Sequence, residues 1–281
     1  MPPEPNRPPS APRAAATVVL LRDAPGGFEV YMVRRHGRSG FMAGAHVFPG
    51  GKLDDADMDG RVLACATGRT PEEAGRLLGE PDDPARAAGL HVAAIRETFE
   101  EAGILLGECA SPARISEARD RLAQGGSFVE ILTELGAQLR LDLLVPWTRW
   151  ITPEIEPRRY DTRFFLARAP ADQEPRHDRR ETTEAVWLTP ATAVARGAAG
   201  EIFLPPPTLR SLEILAQSGS IADALTRAAA QSPPLVDPVL HDLGGGSLAL
   251  VIPGDPAHPR SEAVLAGPTR YLLSERRWAT G

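Results

Sequence analysis

The chain has 281 residues, 42% of them hydrophobic and 24% charged, with a formal net charge of −6. That balance fits a soluble globular protein with ample core, and the negative charge argues against a general nucleic-acid binder, which wants a basic surface. No apolar run approaches the ~20 residues that cross a bilayer, and Cys65 and Cys109 form neither a metal spacing nor a disulfide framework. Residues 1–13 are Pro-rich without an apolar segment, so a disordered tail is expected rather than a secretory signal. With no peroxisomal tripeptide at residues 279–281 and two unpaired thiols, the cytoplasm is the expected compartment.

Residues 14–22 are small and β-branched and predict a buried strand, joined through Asp23-Ala24-Pro25-Gly26-Gly27 to a second strand at 28–34. A glycine-punctuated loop at 37–44 leads into a short strand at 45–48. Residues 52–84 begin acidic and then suit short helices at 61–66 and 71–78. Pro84 fits the first turn of a long helix at 85–102, and further helices are expected from Ser111 to 124 and at 128–139. Strands at 143–151 and 160–169 follow, then a polar loop at 172–182, a strand at 185–188 and a helix opened by Thr189-Pro190. An amphipathic helix after Pro205-Pro206-Pro207, a short helix at 221–230, and strands at 248–252 and 270–273 complete the pattern. There is no internal repeat, and the order is α+β rather than an alternating doubly wound sheet.

In the long helix, Glu97, Glu100 and Glu101 have the i, i+3, i+4 spacing that gathers side chains on one face. Val92, Ile95, Phe99 and Ala102 fall on the opposite side. Three carboxylates that close repel one another and raise their pKa values. A hard cation resolves this, and Mg²⁺ prefers a few carboxylates, waters and phosphate oxygens. An isolated acidic pair is usually a solvated face, but this cluster has company upstream, where a short apolar run breaks into Pro49-Gly50-Gly51.

Gly51 and the stretch Arg96-Glu97-Thr98-Phe99-Glu100-Glu101-Ala102-Gly103-Ile104 resemble the two halves of the Nudix box, Gly-x5-Glu-x7-Arg-Glu-U-x-Glu-Glu-x-Gly-U, where U is apolar. The second half matches at every charged and glycine position, with Thr98 at the first U. Asp57 stands where a Glu is usual, and 45 positions separate Gly51 from Arg96 where the box has 14, so 31 residues interrupt it. Within the Nudix superfamily the chain is most similar to the coenzyme A diphosphatase branch, in the peroxisomal mammalian-type subgroup with a long insertion inside the box. Arg34-Arg35, the run 41–54, Trp150-Ile151-Thr152-Pro153, Arg159-Tyr160-Asp161-Thr162-Arg163-Phe164-Phe165, Trp187-Leu188-Thr189-Pro190 and Pro205-Pro206-Pro207-Thr208 carry the likeness, which runs from about 14 to 218.

The resemblance implies a Nudix α/β/α sandwich with a mixed sheet over 14–218, a helical insertion at 52–84, and a C-terminal extension at 219–281 packed on the same domain. The implied reaction is metal-dependent hydrolysis of a nucleoside diphosphate linked to another moiety. Coenzyme A or acyl-CoA, cut to 3′,5′-ADP and (acyl-)phosphopantetheine, is the first choice. Mg²⁺ or Mn²⁺ would be held by Glu97 and Glu101, with Glu100 as third ligand or general base and the Gly51 carbonyl as a further donor. Arg96 would orient a box carboxylate.

Other roles stay open at this level. Glu181 or Glu184 would supply a base from the loop, or simply be polar residues entering a strand. Arg34, Arg35 and Arg38 would meet the 3′-phosphate of coenzyme A, or be surface charge. His46 and the Gly50-Gly51 backbone would touch substrate, with a satisfied strand histidine the alternative for His46. His177 suits a solvated loop, and Trp147 and Trp150 would stack on adenine or fill core. ADP-ribose or another nucleotide diphosphate is the alternative substrate. A non-catalytic Nudix-fold module is disfavoured by the complete acidic set, and an isomerase of allylic diphosphates by the placement of Cys65 and Cys109. The partner is a small molecule, with no nucleic acid or membrane, and a homodimer is compatible with the sequence.

Overall fold

The apolar alternation of the first strand serves two cores at once. In the computed structural model, which describes residues 10–36, 42–175, 182–244, 247–274 and 277–280, Arg13–Ala24 forms β1 and Gly27–Arg35 forms β2. The turn between them needs glycine, since Gly26 has φ +81°. β3 (His46–Val47) and β4 (Gly50–Lys52) follow, then a 3₁₀ turn at Asp55–Met58. Next come α1 (Gly60–Leu63), β5 (Ala66–Thr67), α2 (Pro71–Leu78) and the long helix α3 (Pro84–Ala102). β6 (Gly107–Cys109), α4 (Ile115–Ala123), α5 (Phe128–Leu135) and β7 (Ala137–Arg140) form a block after it. The expected helix at 128–139 stops at Leu135, because Gly136 turns left-handed at φ +56° and Ala137 enters a strand.

The main sheet is completed by β8 (Val145–Ile151), β9 (Tyr160–Arg168) and β10 (Thr182–Leu188). Helices α6 (Pro190–Ala198), α7 (Pro206–Leu215) and α8 (Ile221–Ala229) lead to β11 (Leu235–Val236). β12 (Val239–Gly244), β13 (Ser247–Val251), β14 (Arg270–Ser274) and β15 (Arg277–Thr280) make a separate antiparallel sheet. The main sheet is mixed, in the order β10-β2-β1-β9-β8-β11, with β3 on β2 and β4 on β1. β1 runs parallel to β9 along the whole length of β9, from Arg13 opposite Tyr160 to Leu21 opposite Arg168. Its other edge is shared: Leu21 pairs with Val30 of β2, whereas Ala15, Ala16 and Thr17 pair with Lys52, Gly51 and Gly50. Where β2 turns away, the glycine strand takes its place.

Successive strand residues face opposite sides. Ala16, Val18 and Leu20 of β1 therefore pack against Leu90, Ile95 and Phe99 of α3. Val19 and Leu21 pack against Ala193, Leu209, Leu212 and Ile221 of α6–α8. Each such aliphatic side chain, fully buried, contributes roughly 1.5–3 kcal/mol. This is a sheet between two helical layers. Leu250 and Tyr271 of the C-terminal sheet join the second core.

α3 starts on Asp83, whose carboxylate accepts from Arg86 N–H at 3.1 Å, and ends at Gly103 with φ +72°. It is less amphipathic than its apolar stripe predicts, because Arg96, Thr98 and Glu101 are buried as well as Val92, Ile95 and Phe99. The inserted elements cover its second side. A Cβ at Gly89 would lie 2.6 Å from Met58 Cγ. The fully buried His91 donates from Nδ1 to Ala87 O (2.8 Å) and accepts at Nε2 from Arg69 (3.1 Å). Burial pushes that imidazole down to about 4, so it is neutral. Arg69 also donates to Leu141 O and Leu144 O, both at 3.0 Å. Lys52 pairs with Ala15 in the sheet, and Asp57 is hydrogen-bonded to Arg96 of α3. Among the described residues no helix is long and apolar enough to cross a membrane.

A candidate active site on the acidic face of the long helix

β4 contributes no side chain where it meets the carboxylates of α3. A Cβ on Gly51 would sit 2.3 Å from the Glu97 carboxylate carbon, and one on Gly50 would sit 2.4 Å from Ala16 O. Only glycine allows that approach. Gly50 N–H donates to Glu101 Oε2 at 3.1 Å, which ties the acidic helix to the glycine strand.

Arg96, 8% exposed, holds the cluster together. Its Nε and Nη2 donate to the two Asp57 carboxylate oxygens at 2.7 and 2.9 Å, a bidentate pair. Nη2 also donates to Lys52 O (3.0 Å), and Nη1 donates to Glu97 (2.8 Å) and Glu100 (3.0 Å). One guanidinium thus spans both sides of the interruption. Asp57, at the box position where a Glu is usual, takes the bidentate pair at the end of a shorter side chain. Arg119 of α4 donates to Glu100 O (2.9 Å) and Glu101 O (3.1 Å), putting a cation on the helix's negative end. No local pattern marks Arg119, since its partners are carbonyls.

Burial pushes Glu97 up to about 7; Arg96 opposes this shift and Glu100 reinforces it. The donor set is all hard oxygen and suits a hard divalent cation. Among the described residues no group of three or more His, Cys, Asp or Glu is already closed around one point. An ion of the Mg²⁺ kind does not require one, because it retains waters and takes phosphate oxygens from substrate.

The acidic face opens on a cleft of about 940 Å³. Gly50, Gly51, Glu97, Glu100, Glu101 and Arg35 border it. Its floor is the sheet face shared by Thr17, Phe164, Thr162 and Trp150, which the register sets side by side. Arg35 Nε and Trp150 Nε1 are buried there without a hydrogen-bond partner among the described residues, a state that calls for an explanation. Trp147 is core.

Two expected substrate contacts do not reach this cleft. Arg34 points to the opposite face from Arg35, and His46 pairs with Arg34 across the β2–β3 ladder. Both line a separate cavity of about 650 Å³ with Glu184 and Arg196. His46 is buried, its pKa held below the usual range by that burial, and Glu184 is 3.7 Å from Arg34 as a cross-strand ion pair. Glu181, Arg38 and His177 lie outside the described residues.

The insertion has its own anchor in the sheet. Glu80 pairs with Arg86 at 2.9 Å and with the buried Arg163 of β9, which also pairs with Asp161 at 2.8 Å. Asp161 in turn pairs with Arg149 at 2.7 Å.

The chain is similar to known proteins along most of its length. The family model of the NUDT19 Nudix domain matches residues 11–215. The acyl-coenzyme A diphosphatase NUDT19 of Gallus gallus is 31% identical over 75% of this chain and 70% of its own length. Its counterpart in Homo sapiens is 31% identical over 79% of this chain and 66% of its own length. The Xenopus laevis protein is 26% identical, and the chain spans 60% of its length. A solved NUDIX hydrolase from Alicyclobacillus acidocaldarius has 31% identity and a TM-score of 0.65, covering 77% of this chain and 96% of that one.

Proposed function

The chain belongs to the Nudix hydrolase family, with a domain of the NUDT19 kind, and from that premise we propose that it cuts the diphosphate of coenzyme A or acyl-CoA. The products are 3′,5′-ADP and phosphopantetheine or its acyl form. The observation that carries this reading is the acidic face of α3, where Arg96 locks Glu97 and Glu100, and Gly50 holds Glu101, on the border of one large cleft. The relatives named acyl-coenzyme A diphosphatase support the choice of substrate.

A diphosphate resists hydrolysis because its charge repels nucleophiles, so catalysis is mostly positioning and charge stabilisation. Bound by Glu97 and Glu101, Mg²⁺ or Mn²⁺ would neutralise phosphate charge and lower the pKa of a bound water. Arg96 keeps the carboxylates in fixed rotamers, so they need not reorganise when substrate arrives. Glu100 is the most exposed of the three, with its side chain 31% accessible against 14% for Glu97, and we assign it the general-base role. Arg35, on the border of the cleft, brings its guanidinium to a substrate phosphate. The free thiols of Cys65 and Cys109 fit a cytoplasmic setting.

Incubation with Mg²⁺ or Mn²⁺ and a panel of coenzyme A, acyl-CoAs, ADP-ribose, NADH and dinucleoside polyphosphates tests the proposal, with products identified by mass. Release of 3′,5′-ADP from the coenzyme A compounds is expected. Cleavage of ADP-ribose in preference would move the assignment to another nucleotide diphosphate, and no cleavage of any member would end the enzymatic reading.

A further inference from the structure

The cleft changes character between its two walls. Among the described residues every charged lining side chain belongs to residue 158 or earlier, whereas the chain from 238 onward contributes Pro238, Leu240, Leu248, Leu250, Leu273 and Trp278. All six are apolar. The register explains how they come together. Leu240 stands opposite Leu250, and Leu273 opposite Trp278. Leu248 and Leu250 are two residues apart and share a face. That face is only half used for packing. Leu250 and Tyr271 are buried with Leu209 and Leu212 in the second core. Leu248 and Leu273 remain 44% and 48% exposed.

Single exposed leucines need no explanation. These two border the same cleft as the carboxylates of α3, together with Trp278. We propose that Leu248, Leu273 and Trp278 bind the fatty acyl chain of an acyl-CoA, so that the C-terminal sheet sets acyl-chain preference. This rests on the coenzyme A reading of the acidic face. An acyl-CoA carries its diphosphate charge at one part of the molecule and hydrocarbon at another, and the cleft offers a charged wall and an apolar one. The apolar wall lies beyond residues 11–215, which the family model matches, so preference is set by a part of the chain separate from the hydrolytic machinery.

The test compares coenzyme A with octanoyl-CoA, by kcat/KM and by calorimetric binding to the metal-free protein, in the wild type and in the double variant Leu248→Ser, Leu273→Ser. Both positions are half exposed, so the substitutions leave no core cavity. The wild type is expected to favour octanoyl-CoA by about tenfold, the effect of burying about two methylenes, and the variant to lose most of that ratio. A ratio that survives in the variant, or is absent in the wild type, overturns the acyl site. Absence of hydrolysis with the binding preference intact supports the acyl site and overturns the diphosphatase reading instead.

Discussion

The Asp57 carboxylate accepts two hydrogen bonds from Arg96, at 2.7 and 2.9 Å, across 39 positions of sequence. The pair closes a box that the chain itself leaves open. Asp57 is 1% exposed, and burying it unpaired would cost several kcal/mol, so the contact decides where the 3₁₀ turn settles on α3.

Removing either partner therefore strands a buried charge. Arg96→Ala is expected to lower stability by about 3 kcal/mol, read as a shift of the urea midpoint at constant slope. Turnover per folded molecule should fall more steeply than substrate affinity, because Glu97 and Glu100 lose their common anchor. An unchanged midpoint would show that Asp57 finds another cation.

Gly51→Ala places a methyl group inside the space of the Glu97 carboxylate. Glu97 must swing away or β4 must leave β1. Activity should drop by about a hundredfold, on the scale seen when a catalytic group is misplaced by an ångström. Weaker divalent-ion binding by calorimetry should accompany it, and retention of both would place the reaction elsewhere in the cleft.

Glu101→Gln keeps an oxygen that can accept from Gly50 N–H, so the fold should survive, with unchanged circular dichroism. The lost negative charge removes a metal ligand, and kcat is expected to fall by a hundredfold or more, a typical cost of losing a key electrostatic group. Full activity in this variant would exclude Glu101 from ion binding.

Glu97 gives a pH signature. Its folded pKa of about 7 lies above the usual glutamate value of 4.5. Between those values the folded protein holds a proton that the unfolded chain has lost, so this stabilising contribution is complete below 4.5 and disappears as pH rises through 7. In EDTA, melting temperature should decline from pH 5 to pH 7.5 more in the wild type than in Glu97→Gln. Divalent-ion affinity should rise over the same interval as the competing proton leaves. Parallel melting curves for the two proteins would refute the shift.

Glu80→Ala tests what the insertion does for the fold. The variant leaves Arg163, 1% exposed, without one of its two carboxylates. A loss of about 3 kcal/mol is expected, with turnover per folded molecule retained, since Glu80 does not line the cleft. A stability loss within error would mean that Asp161 alone satisfies Arg163.

What could be read from the chain alone was local. The carboxylates of α3 follow from a 3.6-residue period, and the buried strand β1 from its run of small and β-branched residues. The glycine turn and the acidic helix could be joined across their interruption only through the resemblance to the two halves of the Nudix box. Contacts between distant segments followed other rules. Arg34 and Arg35 are adjacent in sequence, yet strand pairing sends one to each side of the sheet, and only Arg35 meets the cleft. The burial of α3 on its second side, the anchoring of Glu80 on Arg163, and the apolar wall of Leu248, Leu273 and Trp278 all depend on strand register and on which elements dock together. Those choices come from the packing of the whole chain, where long-range burial outweighs local preference, and no window of sequence contains them.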